Sequence, residues 1–398
     1  MSAQRAAVRA VFALNGAVLG SWAPRIPALA EQIGATPRSL GVSLLGASAG
    51  MLVAASFSGR LIERTGVRST IGIFTVLAAL LLPLLGLIHS VVSLGAVLFF
   101  LGLAIGLANI AMNLAAVGIE RQTGRPLMPT FHAYASAGAL AASAAAGLAA
   151  ARNVPLAQHL VAVSIVLLAV LALALPRVPE LGVASRRSHV VPARTVTPLR
   201  CPKLWRLAAV ALCSAVVEGA CAEWSALLLI DVHRVTQAQA AYAYTAFSLG
   251  MVASRLTSAA SQRRWGRSVT LAAGAMLAGS GLIAAAVIAT PLVGYLGFAF
   301  AGIGVAAAFP MALSLAGELG RRADGTGGER EVAFAGTVGY TGFVAGPPVI
   351  GTIAQYSSLS ACFVMVGAAA LLIVLLAHGI EQPRLSRDVI RSNSSTQT

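Results

Sequence analysis

The sequence predicts an all-α membrane protein with twelve transmembrane helices, arranged as two pseudo-symmetric six-helix bundles. Hydrophobic residues make up 58% of the 398 positions, charged residues only 10%, and the mean hydropathy is +0.83. This is more apolar surface than a water-soluble core can bury. Apolar segments of about 20 residues, each long enough to cross a bilayer, recur between short charged loops. One long polar interruption separates six of these segments from the other six.

The predicted spans follow one another along the whole chain. They are 7–26, 39–61, 69–89, 91–117, 129–151, 155–175, 204–230, 238–260, 268–289, 291–316, 332–354 and 358–379. The first span could also pass for a signal peptide, but an uncleaved first helix serves equally well. Residues 1–175 therefore form an N-terminal bundle and residues 204–380 a C-terminal bundle. The Pro- and Arg-rich stretch 176–203 is a cytosolic linker loop, and residues 381–398 form a cytosolic tail.

The net charge of +15 has a topological explanation. With both termini in the cytosol, the cytosolic loops hold all but four of the 28 Lys and Arg residues. The four on the outer side are Arg25, Arg38, Arg152 and Arg234. This asymmetry is the positive-inside rule, so no nucleic acid partner is needed to explain the charge. Because Arg far outnumbers Lys and Ala is abundant, we expect a GC-rich bacterial source and a multi-pass protein of the inner (plasma) membrane.

The sequence contains no motif typical of an enzyme or a metal site. The four cysteines, Cys201, Cys213, Cys221 and Cys362, have no CxxC spacing and are expected to be small buried residues. There is no HExxH, P-loop or GxSxG motif, and no His/Cys cluster. We therefore expect no catalytic activity, no bound metal and no cofactor.

Short sequence patterns recur in the two halves of the chain. NGA at 15–17, followed by Trp22, matches EGA at 218–220, followed by Trp224, and the loop glycine Gly66 matches Gly266. Paired six-helix halves related by duplication are the layout of one large transporter architecture.

The loop after the second span has the spacing of a conformational gate. It reads GRLIERTGVRS and contains Gly59, Glu63, Arg64, Gly66 and Arg68. The first glycine permits close helix approach, the second permits a tight turn, and the Glu-Arg pair can form an ion pair or cap across the two halves. An ordinary basic loop is the alternative. At this loop the chain resembles the major facilitator superfamily, whose signature here is G-x-x-x-D-R/K-x-G-R/K-R/K.

A narrower resemblance covers nearly the whole chain. The segments that carry it are GSWAPRIPAL (20–29), NIAMN (109–113), MPTFHAYASAGALA (128–141), VEGACAEW (217–224), AFPMAL (308–313) and GYTGFVAGPPVIG (339–351). They are similar to the fucose-permease-like branch of bacterial permeases, which includes fucose:proton symporters. The resemblance implies a proton-coupled carrier of sugars or similar small polar solutes. Sugar symporters of this branch carry an acid in the fourth helix where this chain has Asn109.

Two glutamates lie deep in the seventh span. Of 13 acidic residues, Glu218 and Glu223 alone are strongly embedded in a predicted span. A charge at mid-bilayer costs at least about 2.5 kcal/mol, so neither is expected to face lipid. Burial favours a neutral carboxyl and a nearby Arg favours a charged one, so such a group can bind and release a proton. We assign the coupling proton to Glu218 and a relay role to Glu223, with His132 as a further candidate. Neutral, hydrogen-bonded structural acids are the alternative.

Other polar and aromatic residues in the spans are candidates to bind solute. They are Asn15, Trp22, Arg25, Asn109, Asn113, Trp224, Phe309 and Tyr340. Asn109 and Asn113 share a helix face and offer donors and acceptors to hydroxyl or amide groups. Interfacial anchoring is an alternative for the tryptophans and for Arg25. We expect Arg255 to be a cytosolic gate residue or a snorkelling side chain, and the segment VGYTGFVAGPP (338–348) to allow local bending of its helix.

These features favour a monomeric, proton-coupled secondary active transporter that moves a small polar, sugar-like organic solute by alternating access. Its partners would be the solute, protons and the lipid bilayer. The proton gradient would drive transport, and no cofactor is expected. Metabolite or drug efflux by proton antiport is an alternative. A non-transporting membrane sensor or scaffold is an alternative of another class.

Overall fold

The computed structural model describes residues 2–124, 127–180, 201–320 and 327–378, which are mostly α-helical. The α-helices are α1 (Ser2–Trp22), α2 (Ile26–Gln32), α3 (Pro37–Thr65), α4 (Val67–Leu81), α5 (Val91–Thr123), α6 (Met128–Ala151), α7 (Leu156–Ala174), α8 (Pro202–His233), α9 (Gln237–Ala240), α10 (Tyr242–Trp265), α11 (Arg267–Val287), α12 (Pro291–Val305), α13 (Ala308–Leu319), α14 (Glu329–Tyr356) and α15 (Leu359–Ala377). They form twelve passages, because α1 pairs with α2, α9 with α10, and α12 with α13 in single passages.

The predicted membrane fold is confirmed. Ten of the passages in the described part of the chain are long and apolar enough to cross a bilayer by themselves. The other two, α10 and α14, contain 24 and 28 residues and so also have sufficient length. They are less apolar, and both lie where the two halves of the chain meet, α10 against α6 and α14 against α3.

Proline determines where three passages depart from a regular α-helix. Pro24 lies in a 3₁₀ turn between α1 and α2, Pro83 lies in the 3₁₀ segment Leu82–Leu87 after α4, and Pro310 lies in the first turn of α13. Proline lacks an N–H, so the carbonyl four residues earlier loses its helical donor. For Pro83 that carbonyl belongs to Ala79, and the Ser164 hydroxyl of α7 donates to it at 2.6 Å. Neighbouring helices therefore satisfy backbone groups that would otherwise be exposed to lipid.

The two halves repeat the same helix pairings. In the first half α1 packs against α6 and α3 against α5; in the second half α8 packs against α14 and α10 against α12. The turn after each half's second passage is also repeated. Gly66 has φ +81° and ψ 160°, and Gly266 has φ +82° and ψ 166°. Positive φ favours glycine, which explains why both turns carry one.

The two halves are joined by the contacts α3–α14 and α6–α10. Most of the predicted linker 176–203, namely residues 181–200, and the predicted tail 381–398 lie outside the described residues. We use "terminal face" for the side of the bundle where α1 begins and α15 ends, and "distal face" for the opposite side.

The halves touch near the distal face and separate towards the terminal face. Three side-chain hydrogen bonds join them in the distal part: Gln237 to Glu31 at 2.6 Å, Thr245 to Ser143 at 3.1 Å, and Ser48 to the Phe343 carbonyl at 2.7 Å. Beyond Met51, the buried residues of α3 reduce to a single stripe of Ala54, Ser58 and Ile62. Beyond Met251, α10 has no buried residue. The space between the halves therefore widens towards the terminal face, although Arg255 of α10 still donates to α6 there.

Candidate functional site

The Glu218 carboxyl lies at the centre of the molecule, next to the opening between the halves. It is midway along the 32-residue α8, which packs against α10, α12, α13, α14 and α15. Although α8 is surrounded by helices, the Glu218 side chain is 31% exposed. Its Oε1 lies 4.0 Å from Nη2 of Arg255 on α10. The exposed part of Glu218 therefore faces the interior space and an arginine, not lipid.

Arg255 connects this carboxyl to the other half of the chain. Its Nη1 donates to the Ser136 hydroxyl and, at 3.3 Å, to the His132 carbonyl, both on α6. Its side chain is only 22% exposed. The guanidinium therefore does not snorkel to a membrane surface; it lies between α6 and α8 and contacts both halves.

His132 belongs to the same cluster, but through its backbone. The carbonyl accepts the hydrogen bond from Arg255, while the imidazole packs edge-on against Phe12 with ring centroids 5.3 Å apart. The Arg255 charge is close enough to act on the imidazole. The structure therefore brings His132 near Glu218 through Arg255, with no direct bond between the two.

Three asparagines form a ladder in the first half. Asn109 Nδ2 on α5 donates to Asn15 Oδ1 on α1 at 3.3 Å, and Asn113 Nδ2 donates to Asn109 Oδ1 at 3.0 Å. All three side chains are half-buried. The ladder therefore presents amide groups to the interior while it holds α1 and α5 in register.

An aromatic wall stands in the second half. Tyr340 and Phe343 on α14 have ring centroids 6.3 Å apart, and Phe309 on α13 lies 5.4 Å from Tyr340 and 6.4 Å from Phe343. Tyr340 is 50% exposed. Its hydroxyl is close enough to Glu218 for a charge on that carboxyl to act on it. Sequence reasoning missed Phe343, although its i,i+3 spacing from Tyr340 places both on one helix face. Tyr244 of α10 is buried and stacks on Phe247, so it belongs to the packing around this region.

Four predicted site residues lie instead in the sealed distal part. Trp22 and Trp224 are fully buried, so in this conformation neither lines open space or anchors at a lipid interface. Glu223 lies about 7.5 Å further along α8 than Glu218, and its Oε2 is buried without a hydrogen-bond partner. Arg25 donates from Nη2 to the Val154 carbonyl at 3.2 Å and makes no ion pair with Glu223. Both tryptophans and Arg25 are therefore buried in this conformation, whereas Glu223 is half-buried.

The predicted gate loop is not engaged in this conformation. A Cβ added to Gly59 would meet no atom within 4 Å, so the expected close helix approach at this glycine is wrong here. Within the described residues, Glu63 and Arg64 are exposed and form no ion pair. Arg68 pairs at 2.7 Å with Glu180, near the start of the linker that follows its own half. This loop lies at the terminal face, towards which the halves separate.

Comparison with known proteins agrees with this architecture. The family model described as Major Facilitator Superfamily matches residues 9–328. An uncharacterized MFS-type transporter of Yersinia pestis is 30% identical over 376 residues, which is 94% of each chain. An uncharacterized transporter of Sinorhizobium fredii is 29% identical over 94% of this chain and 97% of its own length.

Solved structures share the fold at low identity. A D-xylose-proton symporter superimposes with a TM-score of 0.74 at 14% identity, covering 95% of this chain and 98% of its own. The fucose:proton symporter of E. coli gives a TM-score of 0.62 at 15% identity, with the same coverage. Because the family model matches most of the chain and a 30% identical relative spans almost all of it, this protein belongs to the major facilitator superfamily.

Proposed function

We propose that this transporter couples the movement of a small polar, sugar-like organic solute to the proton gradient of the bacterial inner membrane, with its terminal face in the cytosol. One observation carries the proposal. A partly exposed carboxyl, Glu218, lies midway along α8 beside an arginine that also bonds to the opposite half of the chain. Protonation of a carboxyl in this position can therefore affect the contact between the halves.

The coupling follows from the partners of Arg255. When Glu218 is charged, it attracts the guanidinium towards α8; when it is neutral, the guanidinium interacts with Ser136 and the His132 carbonyl on α6 alone. The present separation of 4.0 Å is long for an ion pair, because Nη1 is already committed to α6. Proton binding at Glu218 therefore changes how strongly α10 is held to each half. Alternating access is a change in the contact between the two halves, and Arg255 takes part in that contact.

The surfaces that border the opening suit a polar ring. The asparagine ladder of Asn15, Asn109 and Asn113 offers amide donors and acceptors to hydroxyl groups. In the second half of the chain, Phe309, Tyr340 and Phe343 offer aromatic faces to the less polar side of such a ring. The shared fold with a D-xylose-proton symporter and a fucose:proton symporter supports the solute class.

The test begins with a thermal-shift screen of the purified protein against sugars, polyols, nucleosides and organic acids, because a bound ligand stabilises the folded state. The solute found is then loaded into proteoliposomes with an imposed pH gradient. We expect the gradient to drive net flux in the wild type. Glu218→Gln should retain exchange of solute but lose the response to the gradient.

A matched control is Glu223→Gln, which removes a second carboxyl from the same helix outside the open space. It should keep more of the response to the gradient than Glu218→Gln does. Solute binding without any flux would instead identify a sensor. Flux that ignores the pH gradient in the wild type would refute proton coupling.

A further inference from the structure

A buried cluster near the distal face contains donors that have no hydrogen-bond partner. Arg25 is only 8% exposed, and its guanidinium makes a hydrogen bond through Nη2 alone, to the Val154 carbonyl. Its Nη1 is buried without a partner. Within the described residues, no acid lies within ion-pair distance of it. A buried charge without compensation is strongly destabilising.

His159 lies in the first turn of α7, close to the carbonyl that Arg25 contacts. It is 6% exposed, and neither ring nitrogen has a hydrogen-bond partner. The imidazole is close enough to Arg25 for the guanidinium charge to act on it. A neutral imidazole has one N–H, so this cluster contains at least one further unused donor.

The start of α7 adds a third positive feature. Its N-cap residue is Pro155, which provides no side-chain cap, so the N–H groups of the first turn have no side-chain acceptor. The N-terminus of a 19-residue helix also carries the positive end of the helix dipole. A guanidinium, an imidazole and an uncapped helix start are thus gathered in one enclosed place, as in known anion sites.

We propose that a small inorganic anion of chloride size binds between Arg25, His159 and the start of α7. Both side chains are more than nine-tenths buried, which favours a monatomic anion over a lipid headgroup or an organic solute. The anion would neutralise Arg25 and fix the 3₁₀ turn Ala23–Arg25 to α7. That turn also packs against α8 and α10, so the anion would stabilise the distal contact between the halves.

The test uses purified full-length protein in detergent, with chloride replaced by gluconate at constant ionic strength. We expect a saturable rise in Tm with chloride concentration, because an anion that binds only the folded state stabilises it. Arg25→Gln and His159→Leu should each lose most of this rise. Arg152→Gln, which removes an exposed arginine near the same face, should keep it.

An equal Tm in the two salts, or a full chloride response in Arg25→Gln, would overturn the proposal. Anomalous diffraction from wild-type crystals grown in bromide gives an answer even if the variants fail to fold. We expect a bromide peak within hydrogen-bond reach of Arg25 Nη1 and a ring nitrogen of His159. Water at this position, with bromide absent, would contradict the site. Both readouts are independent of transport.

Discussion

Replacing Ser48 with alanine should shift the balance between the two conformations of this transporter. The Ser48 hydroxyl on α3 donates to the Phe343 carbonyl on α14 at 2.7 Å, across the distal contact between the halves. Phe343 lies four residues before Pro347, which has no N–H to offer its carbonyl. Ser48 therefore supplies the donor that the proline removes, and only while the distal face is closed.

The size of the change in the closed-to-open ratio can be worked out from the free energy of this hydrogen bond. A hydrogen bond contributes about 0.5–1.5 kcal/mol net, and a buried carbonyl left without a donor costs about 1–3 kcal/mol. When the halves part at the distal face the bond is absent from both proteins, so the cost falls on the closed state alone. With about 1–2 kcal/mol, Ser48→Ala lowers the ratio of distal-closed to distal-open protein by about 5- to 30-fold.

Double electron–electron resonance measures this ratio directly. Spin labels are attached to Thr36→Cys and Ser357→Cys, at the distal ends of α3 and α14, in a protein without the four native cysteines. The long-distance population should grow in Ser48→Ala. The matched control is Ser56→Ala, because the Ser56 hydroxyl donates to the Leu52 carbonyl of its own helix, at 3.1 Å. Equal distance distributions in Ser48→Ala and Ser56→Ala would refute the reasoning.

Three further predictions test this and two other contacts between helices. Pro347→Ala restores an N–H that competes for the Phe343 carbonyl, so it should open the distal face by the same resonance assay, less than additively with Ser48→Ala. Gly138→Ala places a Cβ against the Ala13 carbonyl and should reduce the yield of monodisperse protein by size-exclusion chromatography, whereas Gly59→Ala should not; equal yields would contradict the packing. Asn113→Ala should weaken solute binding by about 3- to 10-fold in calorimetry, since one hydrogen-bonding group is lost; unchanged affinity would remove the asparagine ladder from the site.

The passages could be predicted from sequence because lipid imposes two simple requirements, an apolar length and a satisfied backbone. The contacts between passages could not. Ser48 and Phe343 are far apart in the chain, and nothing local to either residue indicates the other. The partner of Arg255 was missed for the same reason: its side chain turns inward to Ser136 and Glu218 instead of outward to a membrane surface.

Two other outcomes have physical causes. The prolines at 347 and 348 lie inside α14, which is helical from Glu329 to Tyr356. One reason that the helix continues is that Ser48 satisfies the carbonyl that Pro347 leaves without a donor. The gate loop was expected to close on the other half, but one sequence serves every conformation of an alternating-access protein. Sequence alone therefore does not reveal which face is open.

The central claim is that water reaches the carboxyl at Glu218 from the terminal face, through the gap between the halves. In a cysteine-free background, Glu218→Cys should react rapidly with a charged, membrane-impermeant thiol reagent applied to the terminal face. Val217→Cys, at a fully buried neighbouring position, should react far more slowly. A thiol at position 218 that is not labelled from the terminal face, or is labelled no faster than one at position 217, would contradict the account.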